Sequence, residues 1–248
     1  MITKRAWTYK ILLLTVFLLS IQPEFVESAN LNNEFELQSN VSREGQMLNQ
    51  PRKTNTPKRI ALTFDDGPDM VNTPLLLDIL KEEGVLATFF VVGNQVERYP
   101  EMTLRIFNDG HFIGNHSWTH ADLSKLSNED IIDLELAPTS KVIERLTGHY
   151  PKVIRPPYGS LREDSVKFLK KEGWQIVRWS LDTFDWDKTR NNPEDIVTRI
   201  NRGHHSNAII LMHCNGGETV TALPNIIHNL RALGYDFVTV PRLLDLEG

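Results

Sequence analysis

The feature that most constrains the fold is an alternation of short apolar runs with helical patterns, which begins at Lys58 and continues towards the C-terminus. The apolar runs lie at 60–64, 87–92, 112–113, 153–154, 175–181, 208–212 and 237–240. Strands that alternate with helices pair in parallel, because each helix returns the chain to the same end of the sheet. The pattern therefore predicts an α/β fold, a distorted (β/α) barrel with about seven parallel strands.

Helical spacing of apolar residues predicts helices over 73–83, 100–108, 162–172, 193–203 and 219–233. A further helix is expected to begin after Ser127, because Ser127 and Asp130 form a capping-box pattern. We expect Pro138 to kink or split that helix, since proline has no amide hydrogen to donate to the previous turn. The second half of the helix is expected to end at Gly148.

Polar residues directly follow the predicted strands. They are Asp65 and Asp66 after the first run, His116 and His120 after the third, Arg155 after the fourth, Asp182 and Asp185 after the fifth, and His213 after the sixth. In (β/α) barrels the catalytic residues lie at the carboxyl ends of the strands. We therefore expect these polar residues to meet at one end of the barrel.

Charge and cysteine content exclude several classes of function. The chain has 27 Lys and Arg residues against 32 Asp and Glu, a formal net charge of −5. This balance does not provide the basic face that nucleic-acid binding requires, so we expect no nucleic-acid partner. Cys214 is the only cysteine, so neither an intrachain disulfide nor a cysteine-based zinc finger can form.

The N-terminal region differs in composition from the rest of the chain. Basic residues precede an apolar stretch at 11–21, which is shorter than the roughly 20 residues that a hydrocarbon core requires. We predict a secretory signal peptide at 1–28, with an uncleaved membrane anchor as the alternative. The polar stretch 29–57 is predicted to be a flexible linker, and 58–248 the catalytic domain. A secreted or cell-wall-associated protein is expected.

Five motifs at the predicted strand ends indicate a family. They are Thr63-Phe64-Asp65-Asp66-Gly67-Pro68, His116-Ser117-Trp118-Thr119-His120, Arg155-Pro156-Pro157-Tyr158-Gly159, Asp182-Thr183-Phe184-Asp185-Trp186 and Leu211-Met212-His213. In this order they resemble the polysaccharide deacetylases of carbohydrate esterase family 4, also called the NodB homology domain. The resemblance covers roughly residues 58–245, about three quarters of the chain. It implies a hydrolase that removes N-acetyl groups from aminosugar polymers.

Asp66, His116 and His120 are the expected metal ligands. Two histidines and one carboxylate leave coordination positions open for water and substrate, as a hydrolytic metal site requires. The same ligand set also suits other divalent ions. The resemblance implies one divalent metal ion, with zinc expected and cobalt, manganese or nickel as alternatives.

The resemblance also assigns the proton-transfer residues. It implies that Asp65 is the general base and His213 the general acid, with Asp185 holding the other ring nitrogen of His213. Arg155 is expected to pair with Asp65 and keep it ionised and oriented. The spacing of Asp65 and Asp66 does not by itself decide which is the base and which is the metal ligand.

The remaining site assignments concern the substrate. The resemblance implies that the backbone N–H of Tyr158 faces the developing oxyanion, and that Trp186 and Leu211 wall the acetyl pocket. The sequence leaves two roles open. Asp182 either contacts the ligand or stabilises its loop, and Trp118 either lines the groove or is an ordinary packing residue.

The expected substrate is peptidoglycan N-acetylglucosamine, because the N-terminal segment indicates export to the wall. The alternatives are a deacetylase of chitin or its oligomers, an acetylxylan O-esterase, and a catalytically weak wall-binding module. We expect a monomer whose contact with a membrane, if any, is through an uncleaved N-terminal segment.

Overall fold

The computed structural model of the protein describes residues 57–246. The predicted signal peptide at 1–28 and the linker at 29–57, apart from its last residue, lie outside the described residues. Both assignments therefore stay predictions. None of the helices in the described part is long and apolar enough to cross a membrane.

One parallel sheet forms the centre of the fold. Its strands are β1 (Lys58–Asp65), β2 (Thr88–Val91), β3 (Phe112–Asn115), β4 (Val153–Ile154), β5 (Gln175–Ile176), β6 (Leu181–Asp182), β7 (Ala208–His213) and β8 (Tyr235–Phe237). The strand order is β5-β4-β3-β2-β1-β7-β6, and β8 pairs with the amino-terminal half of β1. This path of seven parallel strands curls into an incomplete barrel, which confirms the predicted fold class.

Helices follow most of the strands. They are α1 (Asn72–Glu82), α2 (Gly93–Arg98), α3 (Pro100–Asn108), α4 (Asn128–Asp130), α5 (Ala137–Thr147), α6 (Glu163–Lys171), α7 (Pro193–Gly203), α8 (Gly217–Ala232) and α9 (Val240–Leu243). A π-helical stretch, Ile131–Leu136, joins α4 to α5, and we call it the π segment. The predicted capping of α4 is confirmed, because the Ser127 hydroxyl accepts the Asp130 N–H at 3.0 Å.

Both faces of the sheet are buried, as is usual for parallel strands covered by helices. Ile60, Leu62 and Phe64 on β1 face the large core between the sheet and the helices. Ala61, between them, belongs to a smaller apolar cluster with Phe90 on the other face. This period-two division buries nearly all of β1 and fixes the direction of the residues at its carboxyl end.

The prediction of one strand over 175–181 was wrong. β5 pairs with β4 and β6 pairs with β7, so the two short strands lie at opposite edges of the sheet. The residues between them cross from one edge to the other, and Val177 is buried in the smaller apolar cluster. The apolar character of this stretch reflects burial inside the barrel, which a continuous strand and a crossing segment share.

The structure also bears on two other predictions. The strand predicted at 237–240 ends at Phe237, and the chain then turns into the helix α9, whose Val240 N–H donates to the Thr88 hydroxyl at 2.9 Å. At Pro138, where a kink or a split was predicted, the helix changes type: the π segment ends at Leu136, and α5 begins at Ala137 with Pro138 in its first turn. A wider turn accommodates a residue that cannot donate to the preceding carbonyls. The helix α2 was not predicted.

Candidate active site

The polar residues at the strand ends surround one cavity of about 410 Å³. Eight of the ten predicted site residues line it: Asp65, Asp66, His116, His120, Tyr158, Trp186, Leu211 and His213. The other two, Arg155 and Asp185, lie behind this lining and contact Asp65 and His213. The structure therefore brings together all ten predicted site residues.

Asp66, His116 and His120 form a group that could hold a metal ion, since one ligand atom of each lies within 4.8 Å of the others. The Oδ1 atom of Asp66 is 3.4 Å from His116 Nε2 and 3.2 Å from His120 Nε2. This oxygen is buried and has no hydrogen-bond partner among the described residues. A buried carboxylate oxygen that faces two imidazole nitrogens fits a divalent cation.

The protonation of these side chains also suits a metal site. Burial raises the pKa of Asp66, but the neighbouring imidazoles of His116 and His120 and the charges of His116 and His213 lower it by more, so its net pKa lies below the ordinary value. The Nδ1–H of His116 donates to the Arg155 carbonyl at 2.6 Å. This bond places the ring's proton on Nδ1 and leaves the Nε2 lone pair for a metal ion.

The site loops contain several residues with left-handed backbone. Among the described residues, Asp66, Ser117, His120, Tyr158 and Phe184 have φ between 54° and 71°. For non-glycine residues this conformation costs on the order of 1–3 kcal/mol each and persists only where surrounding contacts enforce it. The fold therefore holds the site in a conformation that the isolated loops would not prefer.

Asp65 is held by a buried arginine. Arg155 is fully buried, and its Nη1 donates to Asp65 Oδ1 at 2.8 Å and to the Thr63 hydroxyl at 2.7 Å. Burial lowers the pKa of Arg155, and the charge of Asp65 partly offsets that effect. The second oxygen of Asp65 lies 3.7 Å from His116 Nε2. One carboxylate oxygen is thus bound to the arginine, and the other faces the candidate metal ligands.

His213 is held by Asp185. The His213 Nδ1–H donates to Asp185 Oδ1 at 2.7 Å, and the His213 backbone N–H donates to Oδ2 at 2.7 Å. Burial lowers the pKa of His213, but the hydrogen bond and the charge of Asp185 outweigh it and raise the pKa to about 9. His213 is therefore protonated at neutral pH in the metal-free protein, and it can donate a proton into the cavity.

Apolar and aromatic side chains form the remaining wall of the cavity. Leu211 is buried, whereas Tyr158 and Trp186 are exposed at the rim, with 70% and 56% of their surface accessible. Asp182 also lines the cavity, and its Oδ1 accepts the Phe184 N–H at 2.8 Å, so it both faces the ligand space and stabilises its loop. Trp179 lines the cavity as well and packs against the smaller apolar cluster.

Trp118 does not line this cavity. It packs against Gly93, where an added Cβ would lie 2.3 Å from the indole ring. The ring also contacts the large core. Packing therefore accounts for Trp118.

A family model described as polysaccharide deacetylase matches residues 52–177, which include the metal-ligand candidates. The chain belongs to the polysaccharide deacetylase family. This finding confirms the family and the enzyme class that the five motifs predicted.

Relatives of this deacetylase match most of the described residues. A peptidoglycan-N-acetylglucosamine deacetylase of Bacillus cereus is 40% identical over 188 residues, which cover 74% of this chain and 67% of that protein. A peptidoglycan-N-acetylmuramic acid deacetylase of Bacillus subtilis is 37% identical over 77% of this chain, but the match spans only 39% of that protein. The solved structure of the Bc1960 peptidoglycan N-acetylglucosamine deacetylase has a TM-score of 0.72 at 38% identity, covering 76% of this chain and 88% of that one.

Besides Arg155 and Asp185, three residues that the sequence did not reveal contact this deacetylase's site from behind. Asn215 Nδ2 donates to Asp66 Oδ2 at 3.3 Å, and the Thr219 hydroxyl donates to Asp185 Oδ2 at 2.6 Å. Glu135 accepts hydrogen bonds from the loop between His116 and His120. Only Asn215 had a local signal, its position two residues after His213.

Proposed function

We propose that this deacetylase removes the acetyl group from N-acetylglucosamine in peptidoglycan, in a reaction that needs a divalent metal ion and releases acetate. The observation that carries the proposal is the convergence of Asp65, His213 and the three candidate metal ligands on one cavity. The names of the Bacillus cereus relative and of the similar solved structure support peptidoglycan as the polymer.

Asp66, His116 and His120 would hold the metal ion, and we propose zinc. When bound, such an ion supplies Lewis acidity, which lowers the pKa of water and polarises an acetyl carbonyl. Cobalt, manganese and nickel also suit two histidines and one carboxylate. Metal titration of the purified protein, with acetate release as the readout, identifies the ion that supports activity.

The proton transfers follow from the contacts of Asp65 and His213. Asp65 would accept the proton of the water that attacks the acetyl carbon, through the oxygen that Arg155 does not bind. As the carbon–nitrogen bond breaks, His213 would give its proton to the amine nitrogen. Asp185 keeps His213 protonated for this step. The products are acetate and a free amino sugar.

Substrate orientation would come from the rim and the inner wall of the cavity. The backbone N–H of Tyr158 would donate to the oxygen on which negative charge develops. Leu211 and Trp186 would enclose the acetyl methyl group, because both present apolar side chains to the cavity.

The decisive experiment is acetate release from peptidoglycan, chitin oligomers and acetylxylan by the purified protein with added metal. We expect release from peptidoglycan, and loss of nearly all activity in His213→Ala. Higher activity on chitin oligomers or acetylxylan would replace the proposed substrate with that one. No release from any of them, with no effect of His213→Ala, would leave a catalytically weak wall-binding module as the function.

The sugar that is attacked needs a separate measurement. The Bacillus subtilis relative is named for N-acetylmuramic acid, so this residue is the second candidate. Mass spectrometry of the muropeptides after treatment assigns the lost acetyl group to glucosamine or to muramic acid. Loss from muramic acid alone would contradict the proposed substrate.

We also propose that the protein is exported by its N-terminal segment and works as a monomer, because one chain supplies every proposed catalytic residue. N-terminal sequencing of the extracellular protein tests the export. A start near Ala29 supports cleavage of a signal peptide, whereas an intact Met1 supports an uncleaved anchor. Sedimentation of the purified protein tests the monomer.

A further inference from the structure

A buried carboxylate lies behind the loop that carries the candidate metal ligands. Glu135, in the π segment, has only 5% of its surface accessible. Its Oε2 accepts the backbone N–H groups of Trp118 and Thr119, at 2.7 Å and 2.9 Å. Its Oε1 accepts the Thr119 hydroxyl at 2.7 Å. All three donors belong to the three-residue stretch between His116 and His120.

This stretch needs external support because its backbone is strained. Ser117 and His120 have φ of 68° and 62°, in the left-handed region that non-glycine residues avoid. The Ser117 hydroxyl accepts the His120 N–H at 3.0 Å, which closes the loop on itself. The hydrogen bonds to Glu135 hold the middle of the loop to a different element. A carboxylate acceptor makes these bonds stronger than bonds between neutral groups.

The π segment is tied to the end of β3 by a second set of contacts. The Asn115 side-chain amide donates to the Leu136 carbonyl at 2.8 Å and to the Ser140 hydroxyl at 2.9 Å. The Asn115 Oδ1 accepts the Ser117 N–H at 2.8 Å. The π segment therefore contacts both ends of the stretch from Asn115 to Thr119. Single π turns inside helices are frequent at functional sites.

We propose that Glu135 is a positioning residue that holds the loop between His116 and His120 in its metal-binding conformation. It does not reach the cavity, and it acts through the backbone of Trp118 and Thr119. The inference rests on the metal site of the proposed function. Residues that orient metal ligands from behind typically change metal affinity roughly 10- to 100-fold when they are replaced.

The test is the dissociation constant of Zn²⁺ and Co²⁺, measured by calorimetry on the metal-free full chain. Glu135→Ala is expected to bind both ions roughly 10- to 100-fold more weakly than the unaltered protein. Glu135→Gln is expected to lose less, about 3- to 10-fold, because its amide can still accept from the loop but without a charge. Asp133→Ala is the matched control, since it removes an exposed acid from the same π segment and should leave the affinity unchanged.

Amide hydrogen exchange in the metal-free protein gives an independent readout. The N–H groups of Trp118 and Thr119 should exchange faster in Glu135→Ala, whereas those in β1 should not change. At saturating metal, the kcat of Glu135→Ala should return towards that of the unaltered protein. A residue that only stabilised the fold would not give this pattern.

The outcomes separate the two proposals. If the unaltered protein binds no metal, the proposed function fails. If it binds metal and Glu135→Ala binds equally well, only the positioning role is overturned. If Glu135→Ala does not fold, Glu135→Gln decides: an affinity equal to that of Asp133→Ala overturns the role, and a weaker affinity supports it.

Discussion

Two aspartates that are neighbours in the chain have different partners in the site. Asp65 is bound by the fully buried Arg155, whereas Asp66 turns through a left-handed backbone and faces His116 and His120. The turn at Asp66 directs the two carboxylates apart although they are consecutive. Their separate partners support separate roles, one in proton transfer and one in binding a metal ion.

The pair of Asp65 and Arg155 allows a prediction at this scale. Arg155→Met keeps much of the side-chain volume but leaves the Asp65 carboxylate, which is 2% exposed, without its cation. Removing one partner of a buried ion pair costs about 3–5 kcal/mol. We therefore expect the free energy of unfolding in urea to fall by about that amount. The double variant with Asp65→Asn should recover part of the loss, and equal stability of Arg155→Met and the unaltered protein would contradict the prediction.

A second prediction concerns the pKa of His213. Burial lowers this pKa, and Asp185, together with the charges of Asp65 and Asp66, raises it to about 9. In Asp185→Asn the burial remains while the charge and the strong acceptor of Asp185 are lost, so the pKa of His213 should fall well below 9, although the charges of Asp65 and Asp66 still raise it. NMR titration of the metal-free protein measures it, with His213→Gln identifying the signal. The alkaline limb of kcat/KM should move to lower pH, and an unchanged titration would exclude Asp185 as the cause.

The sequence predicted the residues that line the site better than the residues that contact it from behind. The motifs are local, so Asp66 and His213 could be found from their positions after strands. Glu135 is 17 residues from the Trp118 backbone that it binds, and Thr219 is 34 residues from Asp185. Such contacts arise only from packing between elements, and their residue types are ordinary for helices.

At the scale of elements, the predicted secondary structure was correct where an apolar run is compatible with only one type of element. β4 was predicted with its observed bounds, and α3 likewise. The prediction for 175–181 was wrong because a segment that is buried inside the barrel has the same apolar residues as a strand. The π segment could not be predicted either, since apolar periodicity does not distinguish a π turn from an α-helical one.

A prediction about stability in acid concerns His111, which lies near the amino ends of β2 and β3. His111 precedes β3 and is buried, and its Nδ1 accepts the Ala87 N–H at 3.1 Å. Burial lowers the pKa of His111 to about 4; the charge of Asp109 raises it and that of Arg105 lowers it. In the unfolded chain the pKa is about 6.5, so the unfolded state binds the proton first as the pH falls. The stabilisation of the folded state that comes from the neutral His111 ring is present above pH 6.5 and is lost between pH 6.5 and pH 4.

Urea unfolding at pH 7.5 and pH 5.0 measures this loss. Because the unfolded chain binds a proton at His111, the free energy of unfolding should fall by about 2 kcal/mol between these two pH values. His111→Asn keeps an acceptor for the Ala87 N–H and does not titrate in this range, so its pH dependence should be smaller by that amount. The exposed His205, changed to Asn, serves as the control. The same pH dependence in His111→Asn as in the unaltered protein would contradict the assignment.

At the scale of the whole molecule, the described chain enters the barrel at the end opposite to the active site. Lys58 begins β1 and Asp65 ends it, with eight residues in the strand. At about 3.3 Å per residue, these two residues are roughly 23 Å apart. The cavity therefore opens on the side of the domain away from residue 58, where a long glycan can approach it.

The candidate metal ligands also have a consequence for the stability of the whole domain. Asp66 follows β1, and His116 and His120 follow β3, so the ligands come together only when the sheet has formed. A metal ion that binds only the folded state stabilises it by RT ln(1 + [metal]/Kd), about 2.7 kcal/mol at a hundredfold excess over Kd. The melting temperature of the metal-free protein should therefore rise when Zn²⁺ is added. A chelator should reverse the rise and abolish acetate release together.

The variant His120→Ala tests whether this stabilisation comes from the proposed site. It removes a ligand whose side chain is partly exposed, so the metal-free fold should tolerate the change. The thermal shift with Zn²⁺ should then be small, because two ligands bind far less tightly than three. His205→Ala removes an exposed histidine away from the cavity and should keep the full shift. An equal thermal shift in His120→Ala and His205→Ala would mean that the ion binds elsewhere, and it would contradict the metal site at Asp66, His116 and His120.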